Sequence, residues 1–194
     1  VDEGEVVEKD VVLVLDVSGS MRGEKIVQAK KALGFVLDNL HDRDRFNIIA
    51  FSTGVRTYAR RMVPASERRE ALRFVDNLTA TGGTDINRAL LEALDSADAK
   101  RPTIVIFLTD GLATEGVGET DRVLSSVSDA AGPNARLFTF GVGDDVNTFL
   151  LDRLAQDHRG VSAYVRPGMD IEEEVSAFYA KISTPLLSDI DLDF

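Results

Sequence analysis

Residues 11–20 read Val-Val-Leu-Val-Leu-Asp-Val-Ser-Gly-Ser, and this short segment carries most of the information about the architecture. Its first five residues are apolar and rich in β-branched side chains, which predicts a strand buried on both faces of a parallel sheet. Asp16, Ser18 and Ser20 then follow at every second position. Because alternate residues of an extended backbone point to one side, we expect their oxygens to converge above the carboxyl end of the strand. Such oxygen donors suit Mg²⁺ or a similar cation.

Two further loops are predicted to reach the same edge of the sheet. Residues 103–108 form a second apolar strand, which ends in Thr109-Asp110-Gly111. The other loop, 81–85, reads Thr-Gly-Gly-Thr-Asp and precedes a helical pattern of apolar residues. Paired glycines allow a backbone to approach a ligand closely. Ligands of open α/β sheets bind at the carboxyl ends of the strands, so Thr84 and Asp110 are expected to join the first three side chains there.

These three motifs, in this order, resemble a von Willebrand factor type A domain. The likeness extends from about residue 9 to 194 and is strongest toward the inter-alpha-trypsin inhibitor heavy chains. It rests on five segments, 10–21, 44–52, 82–87, 178–179 and 185–187. The resemblance implies a metal-ion-dependent adhesion site that takes Mg²⁺, with Mn²⁺ or Ca²⁺ as alternatives. In such a site Ser18, Ser20 and Thr84 would bind the ion directly, while Asp16 and Asp110 would bind it directly or through water.

A simpler interpretation of the same residues is structural. Serine and threonine often cap helices, and aspartate often stabilises turns. For Asp16 or Asp110 alone the two interpretations are equally good, but five oxygen donors at three strand ends favour the metal site. Asp85, Asp144 and Asp145 are each predicted to cap a following helix.

Composition excludes several classes of function. The 194 residues suit one domain, and 33 acidic against 22 basic residues give a net charge of −11 without a basic run, which disfavours nucleic acid as a partner. No apolar stretch approaches the roughly 18 residues that cross a bilayer, so direct membrane insertion is not expected. The chain has no cysteine, which excludes disulfides, thiolate catalysis and zinc–sulfur sites.

Alternating strands and helices predict a doubly wound α/β fold. We expect a mostly parallel six-stranded sheet with one short antiparallel edge strand and helices on both faces. The predicted strands are 10–16, 44–51, 55–59, 103–109, 136–141 and 161–165. The predicted helices are 24–40, 66–78, 86–98, 119–131, 146–157 and 170–183.

The domain itself is predicted to span residues 9–184. Residues 1–8 look like an acidic leader or linker. Residues 185–194 follow a proline that should end the last helix, and 188–194 alternate polar and apolar side chains like a strand with one buried face. We expect this strand to belong to flanking β structure or to exchange with another chain.

The expected function is a protein-binding module of a larger, extracellular or cell-envelope protein, monomeric as a domain and not an enzyme. By resemblance, its metal would accept an Asp or Glu of a partner protein. One alternative is a Mg²⁺-dependent hydrolase or phosphoryl-transfer domain with Asp16 as nucleophile. Ser18 stands where such enzymes need a second Asp, and no Lys lies in the three loops. The other alternative is an intracellular subunit of an ATPase-linked chelatase or chaperone machine.

Overall fold

The computed structural model describes residues 7–98, 100–111 and 117–183. Its seven strands are β1 (Asp10–Asp16), β2 (Arg45–Phe51), β3 (Val55–Thr57), β4 (Val63–Pro64), β5 (Thr103–Thr109), β6 (Ala135–Val142) and β7 (Ser162–Val165). Its α-helices are α1 (Glu24–Asp38), α2 (Arg68–Asp76), α3 (Ile86–Asp95), α4 (Val117–Ala130), α5 (Thr148–Asp157) and α6 (Ile171–Ser183). Two short 3₁₀ helices span Gly19–Met21 and Ala65–Glu67.

The strands form one sheet in the order β3-β2-β1-β5-β6-β7. Strand β1 lies at its centre and pairs in parallel with β2 on one side and β5 on the other. The chain therefore winds outward from β1 in both directions, which makes the gap between β1 and β5 the topological switch point. Ligands of doubly wound sheets bind above such a point, at the carboxyl ends of the strands.

Side chains of β1 alternate between two hydrophobic cores. Leu13 and Leu15 pack on the face that α1, α2 and α6 cover, while Val12 and Val14 pack on the face that α3, α4 and α5 cover. All four side chains are at most 1% exposed. Burial on both faces explains why the segment is continuously apolar instead of alternating with polar residues. The rigid centre of the sheet thus holds the loops at its carboxyl edge.

The predicted doubly wound fold is confirmed, and the antiparallel edge is more divided than expected. Two short segments, β3 and β4, both pair with β2, at its carboxyl and amino ends respectively. The second of them is two residues long and contains Pro64, so a hydrophobic pattern could not distinguish it from a loop.

Two of the three predicted helix caps are wrong. Asp85 does cap α3, since its carboxylate accepts a hydrogen bond from the Arg88 N–H at 3.1 Å. Helix α5 begins later than expected, and Asn147 caps it by accepting from the Leu150 N–H at 3.0 Å, so Asp144 and Asp145 do not. Most of the predicted leader and the whole of the predicted strand at 188–194 lie outside the described residues.

Candidate metal site

Backbone hydrogen bonds dock the loop at 81–85 onto the end of β1. The Thr81 N–H donates to the Val17 carbonyl at 2.7 Å, and the Gly19 N–H donates to the Gly82 carbonyl at 3.0 Å. Gly82 has a φ of 85°, and a Cβ there would lie 2.8 Å from Thr53 Oγ1. Only glycine accommodates both the left-handed conformation and the close approach. The first glycine of the Thr-Gly-Gly-Thr motif therefore has a packing role.

Asp16 is the buried floor of the site, and its carboxylate forms no ion pair with a basic side chain of the described residues. It is fully buried. Its Oδ1 accepts a hydrogen bond from the Ser18 N–H, and its Oδ2 accepts one from the Thr109 hydroxyl, both at 2.7 Å. Burial raises the pKa of Asp16 above its ordinary value of 3.8, the hydrogen bonds from Ser18 and Thr109 oppose that shift, and the charge of Asp110 adds to it.

A line of oxygens leads from this floor to the surface. Ser18 Oγ lies 3.0 Å from Ser20 Oγ, and the Ser20 hydroxyl donates to Asp110 Oδ1 at 2.7 Å. Ser18 and Asp110 are buried, whereas Ser20 is exposed, so the line opens to solvent. Residues 90 positions apart in the chain thus share one cluster of hydroxyl and carboxylate oxygens.

Thr84, in the third loop, lies against Gly111, the residue that follows Asp110. A Cβ at Gly111 would lie 2.8 Å from Thr84 Cγ2 and 3.3 Å from Thr84 Oγ1. The threonine side chain therefore packs against the residue that follows Asp110, where any residue larger than glycine would clash. Among the described residues, Thr84 forms no hydrogen bond to the other four candidate ligands.

The capping interpretation fails for Ser18 and is not needed for Thr84. Ser18 precedes the 3₁₀ helix Gly19–Met21, but its side chain makes no capping hydrogen bond. The hydroxyl instead faces Ser20. The cap of α3 is Asp85, one residue beyond Thr84. Neither the Ser18 hydroxyl nor the Thr84 hydroxyl therefore serves as a helix cap.

Sequence reasoning missed two side chains of the site. Thr109 ends β5, and its hydroxyl holds Asp16 Oδ2 and also accepts a hydrogen bond from the Gly111 N–H at 3.0 Å. Lys25, in the first turn of α1, donates from Nζ to Asp110 Oδ2 at 2.9 Å. Thr109 belongs to the quoted Thr-Asp-Gly motif, so its place in that motif could have identified it as a residue of the site. Lys25 lies outside the three loops, and only the packing of α1 brings it near.

The donor set fits a small divalent cation. It consists of two carboxylates and three hydroxyls, all oxygen, which is the ligand chemistry of Mg²⁺. In the described part of the chain, no cluster of three or more His, Cys, Asp or Glu side chains is placed to hold a metal. The candidate site contains two carboxylates, and its remaining oxygens come from hydroxyls.

Comparison with known proteins identifies the family to which this fold belongs. The family model of the von Willebrand factor type A domain matches residues 9–164, which is most of the chain. The chain therefore belongs to this family. Domains of this class mediate protein–protein interactions, so the chain is a protein-interaction module.

Its curated relatives include heavy chains of the inter-alpha-trypsin inhibitor. Human heavy chain H2 is 30% identical over 204 residues and human H4 is 34% identical over 197, with 100% and 96% of this chain covered. The chain spans only about a fifth of those proteins, 22% and 21% respectively.

Solved structures confirm the fold. A von Willebrand factor type A protein from Catenulispora acidiphila superposes with a TM-score of 0.77 at 27% identity, over 90% of this chain and 42% of that one. The conserved hypothetical protein BatB from Bacteroides thetaiotaomicron gives 0.71 at 18% identity, over 90% and 98%. No helix in the described residues has the length and apolar character needed to cross a membrane.

Proposed function

We propose that this domain binds a partner protein through a divalent cation, with Mg²⁺ as the first choice and Mn²⁺ or Ca²⁺ as alternatives. Its ligands would be Asp16, Ser18, Ser20, Thr84 and Asp110. The observation that carries the proposal is the fully buried carboxylate of Asp16, which has no basic partner in the part of the chain that the structure describes and lies beneath a line of oxygens open to solvent.

Charge supports this proposal. A buried carboxylate is costly unless a counter-charge compensates it. Asp16 is held by a backbone N–H and a hydroxyl, which are neutral donors, and its pKa is raised. A divalent cation would supply the missing positive charge at Asp16.

The protein's own residues would have separate tasks. Thr109 and the Ser18 N–H orient the Asp16 carboxylate, and the docked loop at 81–85 carries Thr84 to the rim. Mg²⁺ takes six oxygens and keeps water where the protein offers fewer, so an open position would supply the bond to a partner's Asp or Glu. Ser20 is exposed, which places the outward side of the site within reach of such a partner.

The hydrolase alternative is not favoured. A nucleophilic Asp16 would also need a general acid for the leaving group, and Ser18 stands at the position where such hydrolases carry a second Asp. Lys25 does approach the site, but its ammonium is engaged by Asp110. Turnover of p-nitrophenyl phosphate with Mg²⁺ that disappears in Asp16→Asn would reverse this conclusion.

Titration of the metal-free protein with Mg²⁺, Mn²⁺ and Ca²⁺ tests the proposal. We expect at least one cation to raise the unfolding temperature, because a ligand that binds only the folded state stabilises it. The double variant Ser18→Ala/Ser20→Ala should lose this rise and keep its circular dichroism spectrum. A matched control is Ser125→Ala/Ser128→Ala, which removes two exposed hydroxyls from α4. Equal stabilisation of both double variants would place the cation elsewhere.

A further inference from the structure

Lys25 connects helix α1 to the proposed metal site. It is the second residue of that helix, and its Nζ lies 2.9 Å from Asp110 Oδ2. The Asp110 side chain is 1% exposed, whereas that of Lys25 is 41% exposed. The pair therefore joins a buried carboxylate to an ammonium that still faces solvent.

The contact divides the two oxygens of Asp110 between two partners. Oδ1 accepts from the Ser20 hydroxyl, on the side of the candidate ligands, and Oδ2 accepts from Lys25. Oδ1 is therefore the oxygen of Asp110 that lies beside a candidate ligand, whereas Oδ2 lies beside the ammonium. An ammonium on the other oxygen also withdraws negative charge from the carboxylate, which weakens its attraction for a cation.

The charge of the loaded site depends on this lysine. The charges of a divalent cation and of the Asp16 and Asp110 carboxylates sum to zero. The charge of Lys25 makes the total +1. The chain as a whole carries −11, which repels an acidic partner at long range. A local positive charge at contact distance would counter that repulsion, because salt screens the distant charges over about 8 Å at physiological ionic strength.

We infer that Lys25 sets the charge balance of this site: it weakens binding of the cation and strengthens binding of the partner's carboxylate. The inference rests on the proposed function and adds a residue that determines its specificity. Lys25 also borders a cavity of about 530 Å³ between the start of α1 and the loops that follow β6 and β7. A partner seated on the metal would therefore have space beside the ammonium.

Removal of the charge should move the two affinities in opposite directions. In Lys25→Met, we expect Mg²⁺ to bind about tenfold more tightly, because a repulsive ammonium a few ångströms away is lost. Acetate, used as the simplest carboxylate probe, should bind the Mn²⁺-loaded protein about threefold to tenfold more weakly for the same reason. A residue with a purely structural role would weaken both ligands together.

Lys31→Met is the matched control, since it removes the same charge from an exposed position on the same helix. Calorimetric titration gives the Mg²⁺ affinity of each variant, and relaxation of the acetate methyl protons by bound Mn²⁺ gives the carboxylate affinity. Circular dichroism checks that each variant is folded. The inference is supported if Lys25→Met binds Mg²⁺ more tightly and acetate more weakly, while Lys31→Met changes neither affinity.

Two other results would overturn it in distinguishable ways. If the wild-type protein binds Mg²⁺ and Lys25→Met matches Lys31→Met, or loses affinity for both ligands, the role of Lys25 is refuted and the metal site stands. If the wild-type protein itself binds none of the three cations, the proposed function is refuted, and the role of Lys25 with it.

Discussion

Strand β1 begins and ends with a fully buried aspartate, and the two carboxylates differ in whether basic side chains compensate their charge. Asp10, at the amino end, receives two hydrogen bonds from the Arg45 guanidinium at 2.8 and 2.7 Å, and Arg101 Nε lies 3.2 Å away. Asp16, at the carboxyl end, receives one backbone N–H and one hydroxyl. Within the described residues, the same residue type at the same burial is thus neutralised at one edge of the sheet and has no counter-charge at the other.

The amino edge repeats its pattern nearby. Asp44, just before β2, has a fully buried side chain and binds the Lys9 ammonium at 2.7 Å. It also accepts hydrogen bonds from the backbone N–H groups of Lys9 and His41. Buried carboxylates at this edge therefore have their charge compensated within the chain, which is what a structural role requires. Among the described residues, no basic side chain compensates Asp16 at the carboxyl edge, and this difference between the two edges supports a functional role for Asp16.

The largest effect is expected when the compensated end is broken. Asp10→Ala should lower the free energy of unfolding by about 3 kcal/mol, because it leaves the two arginines without their shared carboxylate. Urea unfolding in EDTA, followed by circular dichroism, measures the loss. A loss below about 1 kcal/mol would mean that water solvates the two arginines equally well without Asp10. The ion pairs would then add little to stability, and the two ends of β1 would not differ in this respect.

The matched change at the other end should act in the opposite direction. In EDTA, Asp16→Asn should raise the free energy of unfolding by about 1 kcal/mol, the scale of one hydrogen bond, since it removes an uncompensated buried charge and keeps an oxygen for the Ser18 N–H. The same variant should lose the stabilisation by Mg²⁺. Unfolding with and without the cation separates these effects. A destabilised Asp16→Asn without metal would show that the carboxylate is already compensated.

A pH titration sharpens the contrast further. Because burial raises the pKa of Asp16, the folded state favours the protonated form, so lowering the pH toward 3.8 relieves a destabilising charge instead of removing a stabilising one. The difference in stability between Asp16→Asn and the metal-free wild type should therefore shrink as the pH falls through the raised pKa. Stabilisation by Mg²⁺ should disappear over the same interval, since protons compete with the cation. Thermal unfolding from pH 7 to 4 measures both, and a difference that stays constant would contradict the assignment.

The smallest effect concerns a neutral group beside the compensated end. Tyr179 is fully buried, its hydroxyl has no hydrogen-bond partner among the described residues, and burial and the charge of Asp44 both raise its pKa. Tyr179→Phe should leave the free energy of unfolding unchanged or raise it by up to about 1 kcal/mol. Tyr164→Phe is the control, because the Tyr164 hydroxyl donates to the Asp152 carboxylate and lies 3.1 Å from the Thr148 carbonyl oxygen, so its loss should destabilise. Urea unfolding compares the two, and a larger loss in Tyr179→Phe would reveal a hidden partner for its hydroxyl.

Much of the architecture could be predicted because the central strands are buried on both faces. The strands predicted at 10–16 and 103–109 from their continuous apolar runs match β1 and β5 residue for residue. Weakly patterned segments were less predictable. Strand β4 has two residues, and the start of α5 depends on whether Asp144, Asp145 or Asn147 reaches a free N–H. Such local choices follow from the loop geometry, which residue types alone do not specify.

The chain itself determined the alternation of strands and helices, the three oxygen-rich loops and their place at strand ends, because periodicity and motif order are properties of the linear chain. Only the folded chain decided which charges are neutralised. Asp10 of β1 meets Arg45 of β2 and Arg101 just before β5, and Asp110 meets Lys25 of α1, whereas Asp16 meets no basic side chain among the described residues. Coulomb interactions depend on distances in space, and those distances join residues far apart in sequence.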